Sequence, residues 1–467
     1  MKKKLTARRI WSLLGEAING GEQDFTKMNI PLSIFLLSVP MILEMIMESL
    51  FAVVDIFFVA RIGEDAVATV GLTEAVIIII YSIGVGISMA ATAMVARRFG
   101  EKDYKRAGSA TFQLLVFGGG ISIILGILGF LFAEDILRLM GASETVIQTG
   151  ISYTRIIFAG NTAIMLLFLC NGAFRGAGLP HLAMKTLWIS NGINIVLDPL
   201  LIFGIGSFEG FGLEGAAIAT TTGRSLGVCF QLYHLLNAKH RLVILKENLK
   251  FKLKTLKKIV SISAGGMGQF LIDSVAWIFL IRIVAEFGSS AVAGFTIAFR
   301  ILMFSLMPAW GLSSAAATMV GQNLGARKVR RAKISVWLTA KYNAIFLAVI
   351  TLVYLAFGEW VAGFFTPNDE VLEIAALGLK VIALGYIFFG IGMVMIQAFN
   401  GAGDTKTPSW INVAVFWFLE IPLAYWLAKS MDQGILGIFI SIAFCHSLHA
   451  LIALWYFRKG KWALTKV

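Results

Sequence analysis

The sequence predicts an all-α integral membrane protein of twelve transmembrane helices, built as two parallel six-helix repeats. Composition is the first observation behind this. The chain is 58% hydrophobic and only 14% charged, outside the range of soluble globular domains of this length. An internal repeat is the second. Val59-Ala60, Gly63 and Ala66-Val67-Ala68 recur as Val284-Ala285, Gly288 and Ala291-Val292-Ala293. Met94-Val95, Gly100 and Arg106-Ala107 recur as Met319-Val320, Gly325 and Arg331-Ala332. Ala173-Phe174, Gly176, Ala177 and Gly178 recur as Ala398-Phe399, Gly401, Ala402 and Gly403. All three blocks keep one offset of 225 residues. Duplicated halves in a membrane protein point to a transporter with its site at the repeat.

A helix needs roughly 20 apolar residues to cross the bilayer. By that measure the spans fall at 31–61, 66–96, 109–133, 150–174, 183–204, 214–237, 258–285, 291–320, 334–358, 372–399, 408–429 and 433–457. Six spans per repeat is an even number, so both halves insert the same way. Lys and Arg crowd the N-terminal tail, the 97–106, 239–258 and 327–333 loops and the C-terminal tail. The alternate loops hold almost none, which places both termini in the cytoplasm. The expected organisation is a cytoplasmic tail (1–30), a first lobe (31–237), a basic cytoplasmic linker (238–257), a second lobe (258–457) and a C-terminal tail (458–467). The first long apolar run is too long for a signal-peptide core. Residues 8–18 read as an amphipathic surface helix, with Ile10, Trp11, Leu13 and Leu14 toward lipid. The net charge of +13 lies between hydrophobic spans, which argues against nucleic acid as a partner and for the lipid bilayer. Cys170, Cys229 and Cys445 lie in apolar stretches and are expected as buried thiols.

Charges inside spans cost about 2.5–3.5 kcal/mol each and call for a reason. Span one carries Glu44, Glu48 and Asp55, which fall on one helical face and should point into the bundle. Span five carries Asn191, Asn194 and Asp198, again on one face, with Pro199 next. Pro199 lacks an amide and can leave a carbonyl oxygen free. Asp55, Asp198 and Thr220 of span six each lie about six residues from the outer end of their span. Two carboxylates, a carboxamide and a hydroxyl near one depth make a hard-oxygen site for a proton or Na+. In the second half the 225 offset maps Glu44 onto Gln269, Glu48 onto Asp273, Asp55 onto Leu280 and Asp198 onto Leu423. The cation site therefore belongs to the first half. Glu44, Glu48, Asn191, Gln269, Asp273 and Glu420 are candidates for lining a substrate cavity. The basic groups Arg155, Arg224, Arg282, Arg300 and Lys380 are expected to snorkel or to pair with an acid.

Arg175-Gly176-Ala177-Gly178 and Asn400-Gly401-Ala402-Gly403 lack the lysine of a phosphate loop and read as tight turns after spans four and ten. Cys445, His446 and His449 read as buried polar packing, with no resident metal expected. No catalytic motif stands out, so neither an enzyme nor a cofactor is expected.

These residues resemble the multidrug and toxic compound extrusion (MATE) transporters over about residues 30–455. The resemblance rests on Pro40, Asp55 and Arg61-x-Gly63; on Arg175-Gly-Ala-Gly178 leading to Asn191, Asn194 and Asp198-Pro199; on Gly215-Ala-Ala217-x-Ala219-Thr220; and on Gly401-Ala-Gly-Asp-Thr-Lys-Thr-Pro408. It implies a V-shaped pair of six-helix lobes working by alternating access. It implies that Asp55, Asn194, Asp198 and Thr220 bind the coupling cation. It also implies that Asp273 takes the place of a second-lobe carboxylate found in part of the family. Many relatives carry Gly-Asp-Ser/Thr where this chain has Gly178-Leu179-Pro180. The expected function is a monomeric antiporter of the cytoplasmic membrane, exporting small organic cations or drugs against H+ or Na+. The alternative is a flippase for lipid-linked oligosaccharides or lipid precursors. Its polyanionic cargo would favour a basic cavity, whereas span one is acidic.

Overall fold

In hydrocarbon each backbone amide must be satisfied within its own segment, so apolar runs become helices. The computed structural model describes residues 7–237 and 239–467. Ten helices among them are long and apolar enough to cross a membrane. Spans one to five are Ile30–Ala60, Glu64–Gly100, Tyr104–Leu131, Glu144–Ala177 and Pro180–Phe203. Spans seven to nine are Leu253–Ala285, Ser289–Gly325 and Val329–Gly363. Spans eleven and twelve are Lys406–Ser430 and Gly434–Lys459. Span ten is a bent pair, Asp369–Ala383 and Tyr386–Ala402, broken by 59°. Span six, Leu213–Leu236, has the length but not the apolarity of the others. Thr220 to Thr222, Arg224 and Gln231 dilute it. It packs between spans four and five, where Arg224 and Gln231 are buried away from lipid.

The repeat is visible in how the helices touch. Gly86 of span two lies on the backbone of Ser263 and Met267 in span seven. Its equivalent, Gly311 of span eight, lies on Met41 and Ile42 of span one. Gly100 and Gly325 repeat the pattern at the next level, each on the other half's helix end. A Cβ at any of these would collide with backbone, so only glycine permits the approach. These contacts occupy the half of each span nearer the linker face. Farther out the lobes part. An apolar hollow of about 320 Å3 opens between Ile46, Leu50 and Val53 of span one and Phe304, Met307 and Pro308 of span eight. The two lobes form a V that is closed at the linker face.

The 225 offset does not survive past Gly403. Gly215 lies on Leu201 and Gly437 on Leu427; Gly160 meets Thr221 and Gly385 meets Ala443. These pairs give an offset of 226 in span eleven and 222 in span twelve. The counterpart of Asp198 is therefore Ala424 rather than Leu423. Span eleven contains two π-helical stretches, Val413–Glu420 and Trp426–Ser430, which shift register along a helix. The first lobe also spends residues on a short hairpin, Gly204–Ile205 with Phe208–Glu209, that the second lacks among its described residues.

The chain ends cross the closed face. Lys185 Nζ donates to the Asn19 carbonyl (3.2 Å) and Arg241 Nε pairs with Glu22 (2.8 Å). From the other half, Lys328 Nζ donates to the Thr26 carbonyl (2.9 Å) and Arg331 to that of Phe25 (3.0 Å). Arg97 donates to the Thr465 carbonyl at 2.7 Å. The expected amphipathic helix is Ala7–Asn19, with Trp11 exposed and Leu13 and Leu14 half-buried. Lys2 to Lys4, the Arg8 and Ile10 side chains and the start of the linker at 238 lie outside the described residues. Cys170 and Cys445 are buried as expected, but Cys229 is exposed, because its face of span six points out of the bundle. Gly178 and Gly403 cap spans four and ten with φ of 78° and 85°, the left-handed turn that glycine allows.

Candidate cation and substrate site

Span one separates its residues by face. Leu50, Val53 and Phe57 are exposed, whereas Glu44 is buried and Glu48 and Asp55 are half-buried toward the first lobe's interior. Pro40 lies inside the same helix and removes one of its hydrogen bonds.

Span five supplies the facing groups. Asn191, Asn194 and Asp198 are all buried. Asn194 Nδ2 donates to Asp198 Oδ1 (3.1 Å) and to Thr220 Oγ1 (3.2 Å). This leaves Asn194 Oδ1 and Asp198 Oδ2 buried without any donor. Buried acceptors are rarely left in that state, because each costs about 1–3 kcal/mol of lost solvation. Two such oxygens in one hydrogen-bonded set fit a proton or a small cation. Asp55 makes no hydrogen bond or ion pair among the described residues. The structure thus joins Asn194, Asp198 and Thr220 through direct bonds, with Asp55 on span one, which packs against span five.

Deeper in the lobe the acids are not free. Arg224 Nη2 lies 2.9 Å from Glu48 Oε1, and Asn191 Nδ2 donates to Glu48 Oε2 at 3.1 Å. The Arg224 guanidinium also sits 4.7 Å over the Phe51 ring. Glu44 faces Arg175 at 3.6 Å and accepts from Asn171 at 3.3 Å, while Gln231 donates to Asn171 Oδ1 at 2.7 Å. Each acid of the lower stripe has its own arginine, which offsets the desolvation of the buried carboxylate. Arg175, expected only as part of a turn, is thus a partner of Glu44. Glu74 is a further carboxylate inside span two, outside the expected site, and it is exposed. The same rule about charges inside spans would have found it.

The second lobe is arranged differently. Asp273 is exposed and accepts from Asn412 Nδ2 at 2.9 Å. Asn412 Oδ1 lies 2.9 Å from His449 Nε2. An amide oxygen only accepts, so His449 carries its proton on Nε2. Gln269 exchanges two hydrogen bonds with Asn400, at 3.0 and 3.2 Å. Glu420 is buried, 3.8 Å from His446, whose ring packs against Phe389 and Phe416. Glu44, Asn191, Gln269 and Glu420 are therefore closed off in this conformation. Of the six cavity candidates, Glu48 and Asp273 alone reach accessible space. Lys380 pairs with Glu359 at 2.5 Å, and Arg155 sits over the Phe130 ring.

Comparison with known proteins accords with this architecture. The family model described as MatE matches residues 40–200 and 267–426, one block in each half. The chain is 27% identical over 435 residues to the Probable multidrug resistance protein YoeA of Bacillus subtilis (strain 168), covering 91% of this chain and 93% of the relative. It is 28% identical over 396 residues to a FAD transporter of Shewanella oneidensis, covering 84% and 86%. Among solved structures, a multidrug resistance MATE family transporter of the MOP superfamily in its outward-facing conformation superposes with a TM-score of 0.89. That match has 24% identity and covers 96% of this chain and 99% of the other.

Proposed function

The chain belongs to the MatE family of multidrug efflux transporters, and we propose that it is an antiporter exporting small organic cations against inward H+ or Na+. The observation that carries this reading is the Asp55, Asn194, Asp198 and Thr220 set, with two buried oxygens lacking donors. The basic linker face is taken as cytoplasmic, on the positive-inside rule. The V then opens to the outside, where the coupling cation enters.

A monovalent cation at Asp55 and Asp198 cancels one of the two carboxylate charges in the upper tier of the first lobe. The change in charge shifts or bends span one at Pro40 and weakens the hold on substrate. One monovalent drug leaving for one monovalent cation entering is electroneutral. Only the ion's chemical gradient then drives export, about 1.4 kcal/mol per tenfold ratio. The lower acids, already paired with Arg175 and Arg224, keep the lobe from accumulating uncompensated charge. A flippase for polyanionic lipid precursors is not favoured by the family match.

The test is ethidium or fluoroquinolone efflux in everted vesicles, under an imposed pH gradient and separately under an imposed Na+ gradient. Transport under one gradient identifies the coupling ion. Movement of FAD, with neither cation moved under either gradient, would overturn the organic-cation reading. Asp55→Asn is expected to abolish efflux while leaving membrane insertion intact.

A further inference from the structure

Twelve side-chain nitrogen and oxygen atoms are sealed in the fold with no hydrogen-bond partner among the described residues, and six of them fall in one file through the first lobe. Asp198 Oδ2 and Asn194 Oδ1 belong to the upper tier already described. Ser190 Oγ and Asn191 Oδ1 come next, then Gln231 Oε1 and Glu44 Oε2. Span six links the two ends, because Thr220, Gly223, Gly227 and Gln231 share one of its faces. Gly223 lies on Ser190 and Asn194, and Gly227 on Ser190 and Leu167. One turn farther, Gln231 Nε2 donates to the Leu167 carbonyl (3.4 Å). The file steps turn by turn from the cation set toward the linker face.

Its lower end is one hydrogen-bonded network. Glu44 Oε1 accepts from Asn171 Nδ2 (3.3 Å), and Asn171 Oδ1 accepts from Gln231 Nε2 (2.7 Å). Glu44 is 1% exposed and Gln231 wholly buried, so the two leftover oxygens meet no solvent. Both are acceptors, so a ligand here must bring a hydrogen or a positive charge. Hard metal cations take about six oxygens. Two are on offer, beside the Arg175 guanidinium 3.6 Å from Glu44. A proton needs only one: on Glu44 Oε2 it makes a donor, and Gln231 Oε1 is the sealed acceptor of the same network. The charges at this level are Arg175 of span four and, one turn along span one, Glu48, which Arg224 of span six holds. Spans two, five and eight come in with Ser88, Trp188 and Gly311, none of them charged.

We propose that Glu44 is a second, inner station of the coupling cation and takes it as a proton. The inference rests on the antiporter reading above and names the ion and its way to the cytoplasm. The station lies about 16 Å below Asp55 by helix rise. Carboxamide oxygens accept a hydrogen bond but cannot pass a proton on. Water held along the sealed oxygens, with the Ser190 hydroxyl, therefore carries it. The O–H bond at Asp198 breaks, one at Glu44 Oε2 forms, and the negative charge moves from the lower tier to the upper. Arg175 then loses its counter-ion. The Arg175 carbonyl accepts from Thr318 Oγ1 (2.9 Å) and that of Gly176 from Gln322 Nε2 (3.0 Å), both of span eight. The unbalanced charge thus arrives where span four is pinned to the second lobe. That seam opens, and Glu44 gives its proton to cytoplasmic water.

Infrared difference spectra of the purified full-length chain in nanodiscs, between acid and alkaline buffer, read carboxylic protons directly. Wild type should lose on deprotonation a carboxylic C=O band that is absent in Glu44→Gln, shifted in Glu44→Asp and kept in Asp55→Asn. In proteoliposomes, ethidium export under an imposed pH gradient should fall at least about tenfold in Glu44→Gln and stay within about threefold of wild type in Glu44→Asp. Should Glu44→Gln fail to fold with Arg175 unpaired, the double variant Glu44→Gln with Arg175→Gln carries the same spectral test. A spectrum unchanged by the loss of Glu44 overturns this inference, as does export driven by Na+ alone. Both results leave the antiporter reading standing. Export under neither gradient overturns that reading and this inference with it.

Discussion

The two lobes share a packing scheme and differ in what they bury. The glycine contacts are duplicated: Gly86 and Gly311 make the same approach to backbone, as do Gly100 and Gly325. The polar groups are not. Arg224, bonded to Glu48, corresponds to His446, which lies 3.8 Å from Glu420. Asn194 corresponds to Glu420, Asp198 to Ala424 and Thr220 to Ile442. Asp55 corresponds to Leu280, a core residue of the second lobe. Packing that holds two lobes together has to be matched on both sides of a pseudo-twofold axis. A binding site need not be, so the polar groups can differ between the lobes.

The largest expected effect tests that asymmetry directly. Asp55→Asn is expected to reduce cation efflux in vesicles by at least a hundredfold, with no comparable effect from any single change in the second lobe. Stability comes next. Arg224→Gln leaves Glu48 without its cation; because the Glu48 side chain is a third exposed, the cost should fall below that of a fully buried pair, about 3–5 kcal/mol. The double variant Glu48→Gln with Arg224→Gln should regain most of that loss in thermal unfolding. His446→Gln breaks a contact already too long for a hydrogen bond and should cost under about 1 kcal/mol. Equal losses in Arg224→Gln and His446→Gln would mean that the lobes bury charge alike after all. The glycines should behave in the opposite way. Gly86→Ala and Gly311→Ala each push a methyl into facing backbone and should destabilise by about 1–3 kcal/mol, equally in the two lobes.

Much of this was legible before any coordinates. The spans and the parallel repeat follow from hydropathy, basic loops and the 225 offset, each a property of single residues in sequence. The grouping of Asp55, Asn194, Asp198 and Thr220 followed from depth, because helix rise converts residue number into height. What depth cannot supply is which way a neighbouring helix turns. Hence Glu44 and Glu48 read as cavity-lining acids, although Arg175 and Arg224 reach them from spans four and six. Register was lost in span eleven because π-helical turns and the first-lobe hairpin leave no mark in hydropathy. Span ten, predicted as one run over 372–399, breaks at Leu384–Gly385, where Gly385 lies against the span-twelve backbone.

The smallest effect sharpens the comparison most. Asp273 is the counterpart of Glu48, and it is exposed and bonded to an amide instead of an arginine. In Asp273→Asn the new amide oxygen still accepts from Asn412 Nδ2. The Asn412 to His449 bond need not change, so the only loss is one solvated charge. Solvated charges act over a Debye length of about 10 Å and contribute little energy locally. We expect a two- to threefold rise in KM for cation efflux, with maximal rate and thermal midpoint unchanged. The effect should shrink as salt rises, because it acts through the field in the open V. A loss as complete as that of Asp55→Asn, insensitive to salt, would show that the second lobe carries a coupling step of its own. The asymmetry between the lobes would then lie in the ligands of the site and not in its presence.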